Sequence, residues 1–407
     1  MSRRYSKFLV CQSTSMLGDQ IAESALPAIA ILVLNASALE AGALNAVINL
    51  GYPLAGLFAG ALTDRFSRRR MIVCADLIRL LSVASIPLAA AFDLLHLGQM
   101  YIAGFIIGTA AVFFEVAVQA YVPAIAGTRN PHTAYAGLEA SRSVSQVMGP
   151  AVSGLLIKMF GAPFSLIANA ATSAVSVLGL PRAPETHLRV QPRSRIVDEI
   201  RAGLIMVRKD AVLLPLALKS TTSNFGFAVI LAVLPVFVYR GLRLEPLWLG
   251  IILTSGSLGA CLGALSSRKV TRALGLARTM ILGSVMLGAP WVFVPLSLTG
   301  AKVSLMCLIA ATSAFFLPVW NINAAAIRQS IVDESSMGRV VATMKTLTWT
   351  AHPTGAIFGA VLADWLTGVF GDGLGPALAL VAGGTIRGSA TLLVPSREDM
   401  QARNLQV

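Results

Sequence analysis

The side chains able to do chemistry in this chain lie inside long apolar runs. Asp19 and Glu23 interrupt FLVCQSTSMLGDQIAESALPAIAILVL, one helical turn apart. Glu115 and Gln119 share the run from Met100 to Val122, and Glu139 and Arg142 the run from Tyr135 to Phe160. Lys219, Asn224, Asn321, Lys345 and His352 punctuate the later runs. Ionisable groups at such depth cost free energy to keep from water, so they mark ion or substrate paths. The chemistry they suit is the uptake and release of a proton. No clustered nucleophile and base suggests bond cleavage, no Walker loop suggests ATP, and no spaced His and carboxylate set suggests a metal. Neither a cofactor nor enzymatic activity is expected.

Depth ranks the candidates. Asp19 falls about 12 residues into its run, roughly 18 Å from the inner edge at 1.5 Å per residue, which is near mid-membrane. It has no obvious neighbour, and it is the first candidate for proton coupling, ahead of Glu23. Glu115 and Arg142 each lie roughly 10 to 12 Å from the inner ends of their runs, where they are expected to pair. A static pair tying two helices together is the alternative reading of those two. Gln119, Lys219, Asn224, Asn321, Lys345 and His352, with the aromatics Phe225 and Trp320, are candidates for lining a substrate cavity.

The elements that must position these groups follow from composition. The chain has 407 residues, of which 56% are apolar and only 13% charged, with a mean hydropathy of +0.74. A soluble globule needs more polar cover than this, so lipid is the expected solvent. About twelve apolar segments approach the roughly 20 residues a helix needs to cross the hydrocarbon, from 8–34 at one end to 374–394 at the other. The alternation of a membrane barrel strand is absent. MSRRYSKF is basic, but the run after it has full spanning length and carries acids, unlike a cleavable signal peptide.

The net charge of +13 needs no nucleic acid. With the N-terminus cytoplasmic, the inner side receives Arg3, Arg4, Lys7, Arg65, Arg68, Arg69, Arg70 and most of the later loop arginines, while Lys158, Arg240, Arg243 and Lys302 fall outside. This is the positive-inside pattern, with both termini cytoplasmic in a multi-pass protein of the cell (inner or plasma) membrane. Cys11, Cys74, Cys261 and Cys307 show no paired spacing and read as small packing residues.

The chain divides into a six-helix half (1–181), a polar linker (182–210), a second six-helix half (211–396) and a tail (397–407). Within the linker, RIVDEIRAGLIMVRK places Ile196, Ile200, Leu204 and Val207 on one stripe, as an interfacial helix would. The halves read as copies. GALTDR at Gly60 recurs as GALSSR at Gly263, and at nearly the same spacing Phe113 answers Phe315, Gln119 answers Asn321, Arg142 answers Lys345 and Pro150 answers Pro353. An ordered series of this kind through several helices points to a duplicated six-helix unit, the design in which a substrate site lies between rocking halves.

Two motifs then carry a resemblance. GALTDRFSRRRM, between the second and third spans, resembles the loop signature of the major facilitator superfamily, Gly-x-Leu-x-Asp-Arg-x-Gly-Arg-Lys. Gly60, Leu62, Asp64, Arg65, Arg68 and Arg69 match, and Ser67 stands where the family has Gly. The resemblance implies a gating latch on the cytoplasmic side, one-sided because Ser267 replaces the acid in the second copy. SRSVSQVMGPAVSGLL is similar to the Gly-x-x-x-Gly-Pro-x-x-Gly-Gly motif of the superfamily's antiporters through Gly149, Pro150 and Gly154, with Ser145 and Ser153 in place of glycines. Together with LGDQ and FFEVAVQAYVPAI, the likeness leans toward the branch of macrolide efflux pumps and an enterobactin exporter.

The resemblance implies an all-α membrane protein of twelve helices in two pseudo-symmetric halves. It also implies a monomeric, proton-coupled exporter of a small organic molecule such as a drug, siderophore or other metabolite, working by alternating access. An importer or facilitator on the same fold is the alternative, followed by a channel or a membrane-embedded enzyme. The expected partners are a small-molecule substrate, protons and the lipid bilayer.

Overall fold

In lipid the backbone must satisfy its own hydrogen bonds, which leaves helices as the natural solution for runs of this length. The computed structural model describes residues 3–126, 131–181 and 196–395, and among them every regular element is helical. The first seven helices are α1 (Arg3–Ala28), α2 (Ala38–Asn49), α3 (Gly51–Arg65), α4 (Arg68–Ala91), α5 (Leu97–Ala126), α6 (Pro131–Phe160) and α7 (Ala162–Gly179). The next six are α8 (Ile196–Lys209), α9 (Leu213–Val236), α10 (Pro246–Leu274), α11 (Leu276–Gly288), α12 (Lys302–Ile331) and α13 (Glu334–Ser389).

Among the described residues, 9 helices are long and apolar enough to cross a membrane. Three further crossings account for the expected twelve. The helices α2 and α3 together make one, interrupted at Leu50; α6 makes another, its hydropathy lowered by Glu139, Arg142 and its serines. Gly371, with φ of 81°, breaks α13 into two. Only glycine adopts that backbone cheaply. The same left-handed step occurs at Gly161, also with φ of 81°, between α6 and α7. The repeat therefore extends to the turn before the last helix of each set. It extends to the first helices too: α1 and α9 each carry a proline near the end, Pro27 and Pro235, and each runs on into a π turn, Ile29–Val33 and Phe237–Gly241. A proline withholds its N–H from the ladder, and a wider turn is one way for the helix to accommodate it.

The chain forms two compact units, Met1–Val190 with Arg243–Thr254, and Gln191–Leu242 with Ser255–Val407. In the first, α1 packs on α6 and α7, α4 on α5 and α7, and α2 and α3 on α5. In the second, α9 packs along α13, and α11 along α12. Small residues set these approaches. A Cβ on Gly108 of α5 would collide with the Ile48 carbonyl of α2, and one on Gly263 of α10 with the Phe315 carbonyl of α12. Gly263 is the glycine that echoes Gly60, so the echo marks a place where two helix backbones touch. Leu178, Leu265 and Leu392 are at least 75% exposed, as side chains solvated by acyl chains should be.

The linker helix is α8, with described side chains from Gly203 onward. Val207 is buried, but Leu204 is exposed, because the face turned toward α13 runs through Gly203 and Val207. Gly203 lies against the side chain of Thr343 and the backbone of Arg339, and a glycine one turn before a valine gives a flatter seat than Leu204 would. Residues 182–195 of the linker, the side chains of Ile196 and Ile200, and the tail 397–407 lie outside the described residues.

Gly108→Val should lower the melting temperature in detergent by the equivalent of about 1–3 kcal/mol, the usual cost of overpacking. Gly56→Ala, where an added Cβ meets nothing within 4 Å, should leave it unchanged. Equal melting temperatures for all three proteins would refute this account of the α2–α5 contact.

Candidate functional site

Beyond the three arginines that open α4, its charged residues are Asp76 and Arg79, which stand at i and i+3 and so project to one face. That face is buried: the side chains of Asp76 and Arg79 are 0% and 6% exposed. Asp76 receives a hydrogen bond from Arg79 Nη1 at 3.3 Å on Oδ1 and one from Ser176 Oγ of α7 at 2.6 Å on Oδ2. Arg79 Nη2 forms an ion pair with Asp19 of α1, whose side chain is 34% exposed. The guanidinium carbon also lies 5.2 Å from the centroid of the Phe114 ring on α5. Arg79 thus ties α4 to α1 and α5, and Asp76 ties it to α7.

The expectation that Asp19 has no neighbour is overturned. Its partner lies on a helix distant in sequence, so spacing along α1 could not reveal it. Asp76 and Arg79 were missed altogether, although an acid and a base one turn apart in a 24-residue apolar helix were the available signal. Their consequence is specific. Two carboxylates share one guanidinium, one of them sealed and the other partly open.

Glu115 belongs to a second group. It accepts from Tyr52 Oη of α3 and, at 3.4 Å, from Gln119 Nε2 one turn along α5. Arg142 lies within electrostatic range of Tyr52, so this tyrosine, which the sequence reading did not single out, links Glu115 to the arginine expected beside it. Tyr135 Oη of α6 donates to the Gln119 carbonyl at 3.0 Å, and Glu139 is exposed. Glu23 accepts from Gln20 Nε2 at 2.9 Å.

The motif residues are engaged within the first unit. Gly149 makes room for the Gln20 side chain, and Ser153 Oγ donates to the Ile21 carbonyl at 3.3 Å. Gly154 leaves space for the backbone of Pro246 and Leu247, while Gly250 presses on the Pro150 carbonyl. The small residues of α6 thus bring its backbone close to α1 and to the start of α10. In the loop between α3 and α4, Ser67 Oγ accepts from the Arg70 amide at 3.3 Å and caps α4. Arg68 Nη1 donates to the Ala120 carbonyl at 3.0 Å, and Arg69 donates twice to the Leu180 carbonyl at 3.3 Å. Leu180 is the cap at the end of α7, where a cation suits the helix dipole. Gly60, Asp64 and Arg65 of the same motif have side-chain surroundings outside the described residues.

In the second unit the candidates separate. Lys219 is fully buried with Nζ 3.3 Å from the centroid of the Trp320 ring, and Trp320 is itself buried. His352 stacks on Trp349 with ring centroids 5.4 Å apart and meets Phe227 edge-on at 6.0 Å. Phe225 packs on Phe358, and Asn224 Nδ2 donates to the Ser220 carbonyl at 3.0 Å. Asn321 and Lys345 are exposed.

The family model of the Major Facilitator Superfamily matches residues 8–351. Similar proteins include the multidrug efflux pump Tap of Mycolicibacterium fortuitum, 26% identical over 86% of this chain and 87% of its own length. Macrolide efflux protein A of Streptococcus pyogenes is 24% identical over 77% of this chain and 78% of its own. Among solved structures, a bacterial homologue of the human lysosomal transporter Spinster, inward-facing and occupied, aligns with a TM-score of 0.78 at 13% identity, covering 98% of this chain and 99% of its own. The nucleoside transporter NupG aligns with a TM-score of 0.77 at 12% identity, covering 97% and 100%.

Arg79→Gln should cost about 3–5 kcal/mol, because it leaves the sealed carboxylate of Asp76 without its cation. The double variant Arg79→Gln/Asp76→Asn should recover most of that loss. Thermal unfolding of the three proteins in lipid nanodiscs checks this; a single variant as stable as the parent would show that the cluster does not hold the helices.

Proposed function

We infer function from one premise: this chain belongs to the major facilitator superfamily, and it is a membrane transporter, not an enzyme. On the finer points we propose a proton-coupled exporter of a small organic molecule, working by alternating access as a monomer in the cell membrane with both termini cytoplasmic. The relatives described as efflux proteins support the outward direction. The basic loops support the orientation.

The observation that carries the coupling is the division of Arg79 between Asp76, which is sealed, and Asp19, which is partly open. A proton arriving on Asp19 removes one of the two negative charges facing the guanidinium. Arg79 keeps Asp76, so the arginine stays compensated while α1 is freed from α4. Loss of the proton restores the tie. A protonated Asp19 and an Asp19 ion pair exclude one another, and such an either-or element is what a proton-driven carrier needs to link protonation to a change of shape. The sealed pair keeps the cost of burying Arg79 from being exposed at each turnover.

The remaining motif residues have supporting parts in this reading. Gly149, Pro150 and Gly154 provide a closely packed seam, and Gly60, Asp64, Arg65, Arg68 and Arg69 provide the latch at the cytoplasmic end. Glu23 and Glu115 with Arg142 are the reserve proton sites. Gln119, Asn224, Phe225, Asn321 and Lys345 are the candidates for contact with cargo.

Asp19→Asn keeps the shape and a hydrogen bond but cannot cycle a proton. In inverted membrane vesicles with an imposed proton gradient, screened over a panel of drugs and siderophores, the variant should still bind and exchange the compound that the parent exports, while uphill accumulation falls to the level of empty vesicles. Uphill transport at the parent rate, at matched expression, would move the coupling to Glu23 or Glu115. Transport by the parent that is indifferent to the gradient would remove proton coupling itself.

A further inference from the structure

Among the described residues of the second unit, two basic side chains are buried with no carboxylate paired to them. Lys219 of α9 is 0% exposed and Arg387 of α13 is 4% exposed, and the two lie within electrostatic range of each other. Arg387 Nη1 reaches Ser313 Oγ at 3.4 Å, and its guanidinium carbon lies 4.7 Å from the centroid of the Phe227 ring. Ser313 is already committed: its hydroxyl donates to the Leu287 carbonyl at 2.7 Å and accepts from Trp291 Nε1 at 3.0 Å. Lys219 Nζ has the face of Trp320 and, among the described residues, no hydrogen-bond acceptor; Arg387 Nε has none either.

The described acids of this unit are elsewhere. Asp333, Asp364 and Asp372 are exposed, and Asp210 accepts the amides of Val212 and Leu213 at the start of α9. Asp76, in the other unit, is the one carboxylate-bearing residue among the described residues in the buried class. Aromatic faces offset part of the cost of an ammonium or guanidinium out of water, and an opposite charge beside two buried basic groups offsets more of it. The contrast with Arg79, which has two carboxylates, makes the lack of one here conspicuous.

We propose that Lys219 and Arg387 form a binding site for a small monovalent anion, a halide or the carboxylate of a small organic molecule, with the unpartnered Lys219 Nζ and Arg387 Nε as its donors and Trp320 and Phe227 as its apolar walls. Such a site lies outside the proton cluster of the first unit and does not depend on the direction of transport. The anion completes the charge balance of the α9–α12–α13 interior, so the folded state of this unit binds it and the unfolded chain does not. Anion binding therefore stabilises the protein by mass action.

The test uses the full-length protein in lipid nanodiscs, without a transport substrate. Melting temperature is followed as sodium chloride, or sodium acetate, replaces the sodium salt of a bulky buffer sulfonate at constant sodium. The expected result is a rise of a few degrees that saturates with at least one of the two small anions; chloride alone identifies an inorganic site, acetate alone a carboxylate site. The rise should disappear in Lys219→Met and in Arg387→Met, each variant being compared with itself across salts so that a lowered baseline does not matter. A parent protein indifferent to both anions would overturn the proposal, as would a saturable rise that survives in both variants.

Discussion

Burying a guanidinium among apolar helices is the constraint on which the first unit depends. Arg79 needs anionic partners because few other groups can compensate a full charge away from water, and it recruits them from two helices, Asp76 beside it and Asp19 on α1. Ser176 fixes the far side of Asp76, and Phe114 covers the guanidinium. The pairings fix where α1, α4, α5 and α7 meet. Because one partner is sealed and the other partly open, the same arrangement that holds the helices offers a place where a proton can change the balance.

Close backbone approach is the second requirement, and glycine supplies it. Gly108 against Ile48, Gly263 against Phe315, and Gly154 against Pro246 and Leu247 bring helices near enough for dispersion to act, which in lipid takes over much of the part that the hydrophobic effect plays in water. The two units share this packing logic, the left-handed turns at Gly161 and Gly371 and the proline-associated π turns. They part in charge. The first matches its buried arginine with carboxylates, whereas the second sets Lys219 and Arg387 on aromatic rings.

The helical architecture and its repeat were legible because hydropathy, glycine and proline act through local sequence. The break of α13 at Gly371 and the turn at Gly161 lie between apolar runs already separated on that basis. The pairing of Asp19 was not legible, since its partner sits on α4 and only tertiary packing brings it near. Tyr52 escaped notice for a similar reason: nothing in α3 announces that its hydroxyl meets Glu115. Trp320 read as a possible pocket wall, and the buried ammonium of Lys219 over its ring is a contact that no spacing along the chain announces. On α8, Leu204 looks as apolar as Val207, and the flat seat made by Gly203 decides which of the two turns toward α13.

The central claim is that Asp19 takes up a proton in exchange for its tie to Arg79. Infrared difference spectroscopy of the purified protein in lipid, recorded as the medium is acidified, observes that exchange without any substrate. The account predicts that a protonated carboxyl C=O band grows together with a change in the guanidinium bands of Arg79, and that both are lost in Asp19→Asn. The same pair of signals in Asp19→Asn would contradict it.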